Sequence, residues 1–303
     1  MNHSNTVDSS VSARGLPTPE TYPGSAEFDF WIEAGRTEKH YWRDLWRFRE
    51  LFFVLAWRDI AVRYKQTVAG AAWAVVQPLL SMIIMTVIFG KVAGLPSVGT
   101  APYAVMVFAA ILPWQFFSNA LSSASQSLVG NANLISKVYF PRMIVPTSSV
   151  VVSFIDFLVC GVILLVLMAS YRFWPTWHML LLPFLVIWAI VAALGPGLII
   201  TALMVRYRDF RFLVPFIVQF GLYVSPVAYS SQIVREKFGD TWFLVYSVNP
   251  MVGVIDGFRW AILGGSADLF MPGIALSLIL TIVLFVVSIM HFRKTERAFA
   301  DVI

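Results

Sequence analysis

An all-α polytopic membrane protein is the fold class the sequence predicts, and three observations predict it. Of 303 residues, 58% are hydrophobic and 13% charged, whereas a soluble domain carries roughly 25% charged residues. Between Asp59 and Asp209 the sole carboxylate is Asp156. Long apolar runs alternate with short basic flanks along most of the chain, the pattern of helices threaded through a bilayer.

Residues 1–40 are rich in Ser, Thr, Pro and Asn. They read as a disordered cytoplasmic tail, and not as a signal peptide, because no apolar core follows Met1. Residues 41–66, YWRDLWRFRELFFVLAWRDIAVRYKQ, place Leu45, Phe48, Phe52 and Leu55 at helical spacing, with Arg43, Arg47, Arg49, Arg58 and Arg63 on other faces. The run Leu51–Trp57 is too short to span. An amphipathic interface helix lying on the bilayer fits this pattern; the other reading is a solvated helix of a small soluble domain.

A span needs about 20 mainly apolar residues, which gives six, at about 68–93, 103–127, 144–170, 179–205, 212–230 and 272–292. With the N-terminus cytoplasmic, fourteen of the Lys and Arg residues from Arg43 onward fall on the inside, including Arg142, Arg206, Arg208 and Arg297. Five fall outside: Lys91, Arg172, Arg235, Lys237 and Arg259. The asymmetry places both termini in the cytoplasm. The same scatter along span flanks argues against a nucleic-acid partner, despite the net charge of +5.

Residues 230–263 resist assignment as a loop. Two apolar stretches, Trp242–Val248 and Met251–Leu263, are each too short to cross, and Asn249–Pro250 breaks between them. Irregular backbone at membrane depth must be covered by protein or line a cavity, so re-entrant outer-side helices are expected before the last span. A seventh span over 242–263 would put the C-terminal basic residues outside, against the charge pattern.

No P-loop pattern is present, since Gly90–Lys91 leads into Val92; the chain has no means of its own to cradle a nucleotide phosphate. His3, His40, His178 and His291 are scattered and suggest no metal site. There is no Asp-x-Asp pair and no catalytic constellation. The single cysteine, Cys160, forms no disulfide within the chain. Asp156, the lone acid in a span, is read as an interior hydrogen-bonded or inter-subunit residue; a proton-coupling site is the alternative.

Residues 127–141, SLVGNANLISKVYFP, lie between the second and third spans. Asn131 and Asn133 suit a helix start; Leu134, Ile135, Val138, Tyr139 and Phe140 form an apolar knob beside Lys137. Such a knob at a cytoplasmic face suits a partner's groove, though an ordinary connecting loop has the same composition. Aromatic residues are 15% of the chain. Many sit at span ends as a belt; a minority, such as Trp73, Phe216, Phe220 and Tyr223, lie deeper, where their faces suit sugar rings.

The blocks RDIAVRYKQTVAGAAWAVVQPLL, LVGNANLISKVYFPRMIVP, VRYRDFRFLVPFIVQFGLYVSPVAY, YSVNPMVGVIDGFRWAIL and FRKTERAFADVI together resemble the ABC-2 type membrane subunits that export lipid-linked polysaccharides such as O-antigen, capsule and teichoic acid. The resemblance covers about Leu51 to Ile303, nearly all of the chain beyond the tail, so 41–303 is taken as one transmembrane domain. It implies a homodimer in the inner membrane working with two copies of a separate P-loop ATPase, no cofactor in this chain, and ATP–Mg bound by that partner. The coupling helix would fall on Asn131 to Tyr139 and the outer gate on residues 230–263, with Asn249, Pro250 and Arg259 as gate residues. The path would lie between protomers along the first and fifth spans, including Trp73, Phe216, Phe220 and Tyr223. The lipid pyrophosphate would be admitted near Arg58, Arg63 and Lys65. Rival readings are an ABC-2 exporter of another lipid or drug, a proton-coupled carrier using Asp156, and a membrane glycosyltransferase, which the missing acid pair disfavours.

Overall fold

The computed structural model describes residues 41–65, 68–207, 209–296 and Phe299. The predicted tail, and Arg208 and Arg297 of the charge pattern, lie outside them. The order is α1 (Tyr41–Arg47), α2 (Arg49–Lys65), α3 (Val68–Met85, continued by a wider π-helical stretch Thr86–Val92), α4 (Tyr103–Gly130), α5 (Ala132–Ile135), α6 (Ile144–Ser170), α7 (Leu182–Arg206, preceded by a tight turn Trp177–Leu181), α8 (Phe210–Val224), α9 (Ser231–Tyr246), α10 (Pro250–Ile262) and α11 (Met271–Glu296). Among the described residues there is no strand.

Five helices are long and apolar enough to cross a bilayer: Ala72–Val92, Tyr103–Gly130, Ile144–Ser170, Trp177–Arg206 and Met271–Glu296. The chain is a multi-pass, all-α membrane protein. The expected span 212–230 is the exception. Its helix, α8, has 15 residues, about 22 Å at 1.5 Å per residue, against a hydrocarbon core of about 30 Å. The cause is Pro226, which lacks an N–H and forces its predecessor out of the helical region. Ser225 accordingly sits at φ −94°, ψ 149°, and the chain beyond it is no longer helical until Ser231.

The central element is α4, with no charged residue and a nearly continuous buried surface. Small residues let its neighbours approach, as membrane helices require where apolar side chains gain nothing from leaving water. Thr201 on α7 donates to the Ala124 carbonyl at 2.8 Å. Gly221 on α8 lies under the Trp114 indole, with no room for a Cβ. Behind α4, the Trp188 indole N–H donates to Thr281 Oγ1 at 3.0 Å and joins α7 to α11.

Contacts define the two ends of the bundle. At one end, the Glu296 carboxylate accepts from the Tyr41 hydroxyl at 2.9 Å and from the Arg142 backbone N–H at 2.6 Å. Burial, reinforced by that carboxylate, holds the Tyr41 phenol well above its ordinary pKa, so it stays a donor. At the opposite end, Tyr103 donates to the Ala228 carbonyl at 2.7 Å, and the rings of His178 and Trp260 meet edge to face at 4.6 Å. The short α8 therefore runs from the first end, where Val214 packs with Ile200 and Met204, toward the second.

The outer segment departs from two short helices at Trp242–Val248 and Met251–Leu263. Its first helix starts earlier, at Ser231, capped by the Ser230 hydroxyl, which accepts from the Gln232 N–H. It bends at Gly239, whose φ of 82° suits glycine. The second starts at Pro250, with the Asn249 side chain accepting from the Met251 N–H, an N-cap followed by proline at the first helical position. Most of α10 is buried, and Phe258 reaches Phe157 near the middle of α6 at 6.0 Å.

Candidate functional site

At the Tyr41–Glu296 end, α2 carries the three predicted cations. Arg58 Nη2 lies 2.7 Å from Asp59 Oδ1 and also donates to Asn131 Oδ1 at 2.8 Å. Asn131 in turn donates to the Ser127 carbonyl at 2.8 Å. Arg58 thus joins α2 to the start of the connection between α4 and α6. Arg63 points elsewhere: its Nη2 lies 2.6 Å from Asp156 Oδ2, while the neighbouring Tyr64 hydroxyl donates to Asp156 Oδ1 at 2.5 Å. Desolvation raises the Tyr64 phenol well above its ordinary pKa, and Asp156 adds to the effect, so this donor keeps its proton. Lys65 is exposed. The three cations do not converge; two are engaged by partners within the chain.

Asp156 is therefore not isolated. It is 6% exposed at the side chain, with a cation and a phenol on its two oxygens. Burying a carboxylate without such partners costs several kcal/mol. This pair ties α2 to α6.

The predicted coupling helix, Asn131 to Tyr139, is shorter than expected. Helical structure ends at Ile135, and residues 136–139 turn back. The expected knob divides. Ile135 and Phe140 are buried with Leu128 and Phe292 as anchors, Leu134 packs partly against them, and Asn133, Lys137, Val138 and Tyr139 face outward. The split arises because the helix stops at Ile135: had it continued, Val138 and Tyr139, three and four residues on, would have shared the buried face of Ile135.

On α8, Phe216, Phe220 and Tyr223 form an exposed stripe, with the Phe216 and Phe220 rings 4.2 Å apart. Trp73 is exposed on α3. Both α3 and α8 pack against α4. At the opposite end, Arg259 is 2% exposed. Its guanidinium donates to the carbonyls of Val227 at 2.8 Å and Tyr229 at 2.7 Å. Asn249 Nδ2 donates to Ser225 Oγ at 2.9 Å. These two residues, expected at a gate, clasp the irregular stretch between α8 and α9, satisfying backbone that would otherwise lie unpaired in the bilayer.

Sequence reading missed Tyr64, Glu296 and Asp256. Asp256, one turn before Arg259, is hydrogen-bonded by Ser231 and supplies the nearest opposing charge. Its signal was an acid and an arginine three residues apart in an apolar helix. Glu296 is the first acid after Asp268 and sits among Arg293, Lys294 and Arg297, which hid it in the basic flank.

The family model for ABC-2 type transporters matches residues 50–263. Relatives agree in extent. The chain is 29% identical over 264 residues to an O-antigen export system permease protein RfbA of Klebsiella pneumoniae, covering 84% of this chain and 95% of that one. It is 28% identical over 217 residues to the protein of the same name in Myxococcus xanthus, covering 72% and 82%. The chain belongs to the ABC-2 type transporter family.

Proposed function

We propose that this chain is the membrane-spanning permease subunit of an exporter that moves a lipid-linked polysaccharide of the O-antigen type across the inner membrane. The observation that carries the reading is the similarity, over 72% to 84% of the chain, to permeases named for O-antigen export. It is a transport subunit and not an enzyme; ATP–Mg is bound and hydrolysed by two copies of a separate P-loop ATPase.

Topology supports the reading. Tyr41, Arg142 and Glu296 meet at one end, so the chain crosses an even number of times between them. Between Arg142 and Glu296 the long helices are α6, α7 and α11. A fourth crossing is needed, and α8 with its extended continuation supplies it. These contacts support a reading of six crossings with both termini on the cytoplasmic face, and the charge asymmetry agrees.

The exposed faces of α3 and α8 form the seam with a second copy, and Trp73, Phe216, Phe220 and Tyr223 line the path along it. Asn133, Leu134, Lys137, Val138 and Tyr139 meet the ATPase, while Asn131 and Arg58 relay its movement to α2. The lipid pyrophosphate is admitted beside Lys65 and the half-exposed Arg58. Arg63 instead serves Asp156, which weakens the proton-carrier reading, because a relay needs a carboxylate free to exchange its proton. Reconstituted vesicles containing this chain and its ATPase test the reading: lipid-linked glycan becomes enclosed only with hydrolysable ATP. Transport that persists without nucleotide overturns it.

A further inference from the structure

A serine hydroxyl inside an apolar helix can turn back onto its own backbone. In α6, Ser148 and Ser149 do so, each donating to the carbonyl three residues earlier at 2.9 Å. Ser153, one turn further on, does not: it is fully buried, and its hydroxyl has no partner among the described residues. It lines a small cleft together with Gln115, Asn119 and Asp156. Ser153 and Asp156 lie three residues apart on α6, and Gln115 and Asn119 four apart on α4, so each pair shares a helix face. The Asp156 carboxylate has capacity to spare. Arg63 meets its Oδ2 as an opposite charge at 2.6 Å but off the line of a hydrogen bond, which leaves an acceptor position open. The Gln115 and Asn119 carboxamides hydrogen-bond no other described residue.

An unpaired hydroxyl at this depth is costly unless something pairs with it. Space sets the size of that partner. The cleft leaves about 20 Å³ for the centre of a water molecule, and one water needs about 10–15 Å³. Charge sets its kind. The carboxylate repels an anion, and the Arg63 guanidinium already balances that carboxylate, so a cation gains nothing. We infer that one water molecule is held here, accepting from the Ser153 hydroxyl and donating to Asp156 Oδ2 and to a carboxamide oxygen of α4. Three partners are typical of a buried water. This water joins α4 to α6. It also gives Asp156 a partner that does not depend on α2, so the carboxylate is not stranded when Arg63 moves. Ser153 is its positioning residue. The inference stands apart from the transport reading and holds whatever the chain moves.

X-ray radiolysis tests it, because hydroxyl radicals formed from a bound water oxidise the rings beside it. Full-length protein in lipid nanodiscs is mixed rapidly with oxygen-18 water and pulsed, and phenylalanine oxidation is read by mass spectrometry. Phe116 and Phe157 line the cleft and are buried. Phe108 and Phe292 are buried elsewhere, and Phe53 is exposed. If a water is held, Phe116 and Phe157 should oxidise about fivefold faster than Phe108 and Phe292, and take up oxygen-18 about tenfold more slowly than Phe53. Ser153→Ala should bring the Phe157 signal down to that of the dry rings and lower Tm by about 2–4 °C, the shift of one lost buried hydrogen bond. Oxidation at Phe116 and Phe157 no faster than at Phe108 overturns the site. Oxygen-18 uptake as fast as at Phe53 also overturns it, since that marks an open crevice and not a held molecule. A Tm that rises in Ser153→Ala shows a dry hydroxyl and overturns it without any labelling.

Discussion

Arg63 and Asp156 face each other at 2.6 Å across the contact of α2 with α6, and Tyr64 completes the grip on the carboxylate at 2.5 Å. One helix at the bundle's end is thereby fixed to a span by neighbouring residues, while Arg58, a turn and a half earlier, is fixed to Asn131. Under the proposed function, a movement of the α5 segment would reach the spans through α2.

The two halves of the Arg63–Asp156 pair are not equivalent. Arg63→Ala leaves a carboxylate stranded at 6% exposure, whereas Asp156→Asn leaves a guanidinium that is 37% exposed and can find water. Arg63→Ala should cost about 1–3 kcal/mol, below the roughly 3–5 kcal/mol of a fully buried pair because one partner is partly solvated. Asp156→Asn should cost less, and the double variant should recover part of the loss. Thermal unfolding in nanodiscs measures all three; equal single losses that simply add would show no coupling.

Arg259 holds two carbonyls with a planar fork that lysine does not reproduce. Arg259→Leu leaves the Val227 and Tyr229 carbonyls unpaired and Asp256 without its cation. A loss of about 3–5 kcal/mol is expected, with Arg259→Lys recovering only part of it. Limited proteolysis of the stretch between α8 and α9 should rise in the same order.

Glycines separate by their surroundings. A Cβ at Gly253 would lie 2.6 Å from Ser277 Cβ and 2.9 Å from the Trp188 ring, whereas one at Gly161 meets nothing within 4 Å. Gly253→Ala should destabilise by about 1–3 kcal/mol through overpacking. Gly161→Ala should be neutral or stabilise by up to about 1 kcal/mol through helix propensity. Melting temperatures of the two variants in one lipid composition decide it.

Arg235 and Asp240 bridge the Gly239 bend at 2.6 Å. The Arg235 guanidinium, hydrogen-bonded to Asp240, holds its carboxyl below the ordinary value of 3.8. A depressed folded-state pKa means the stabilisation is complete above the unfolded value and is lost as pH falls through the folded one. Protection factors of the α9 amides, with the intrinsic pH dependence of exchange divided out, should stay constant from about pH 7 to 5 and fall below about pH 4. Asp240→Asn should show the faster exchange at neutral pH; no difference between that variant and the parent would remove the bridge from the account.

The sequence made the spans legible where apolar length was the only thing that mattered. Ile144–Ser170 matches the predicted 144–170 residue for residue. Hydropathy overstated the length of helix at α8, because Val227 and Ala228 continue the apolar run past a proline that stops the helix. It failed at α9, whose polar start has helix-forming chemistry but no apolar period. The site was less legible. Tyr64 and Asp156 are 92 residues apart, and no local pattern joins them. The hint was a lone acid in a span and a cation at the end of a neighbouring helix, two charges that each need a partner. Ile135 and Val138 look alike in sequence; the helix ends at Ile135, so Val138 leaves the buried face it would have shared three residues on.

The central claim is that this chain works through a separate ATPase docked on the segment after α4. Tagged protein purified in mild detergent from its native membrane tests it most directly. A P-loop ATPase should co-purify in equal amount, and Val138→Asp or Tyr139→Ala should release it without lowering the yield of the permease. A permease that emerges alone and still moves lipid-linked glycan in vesicles without ATP would contradict the account.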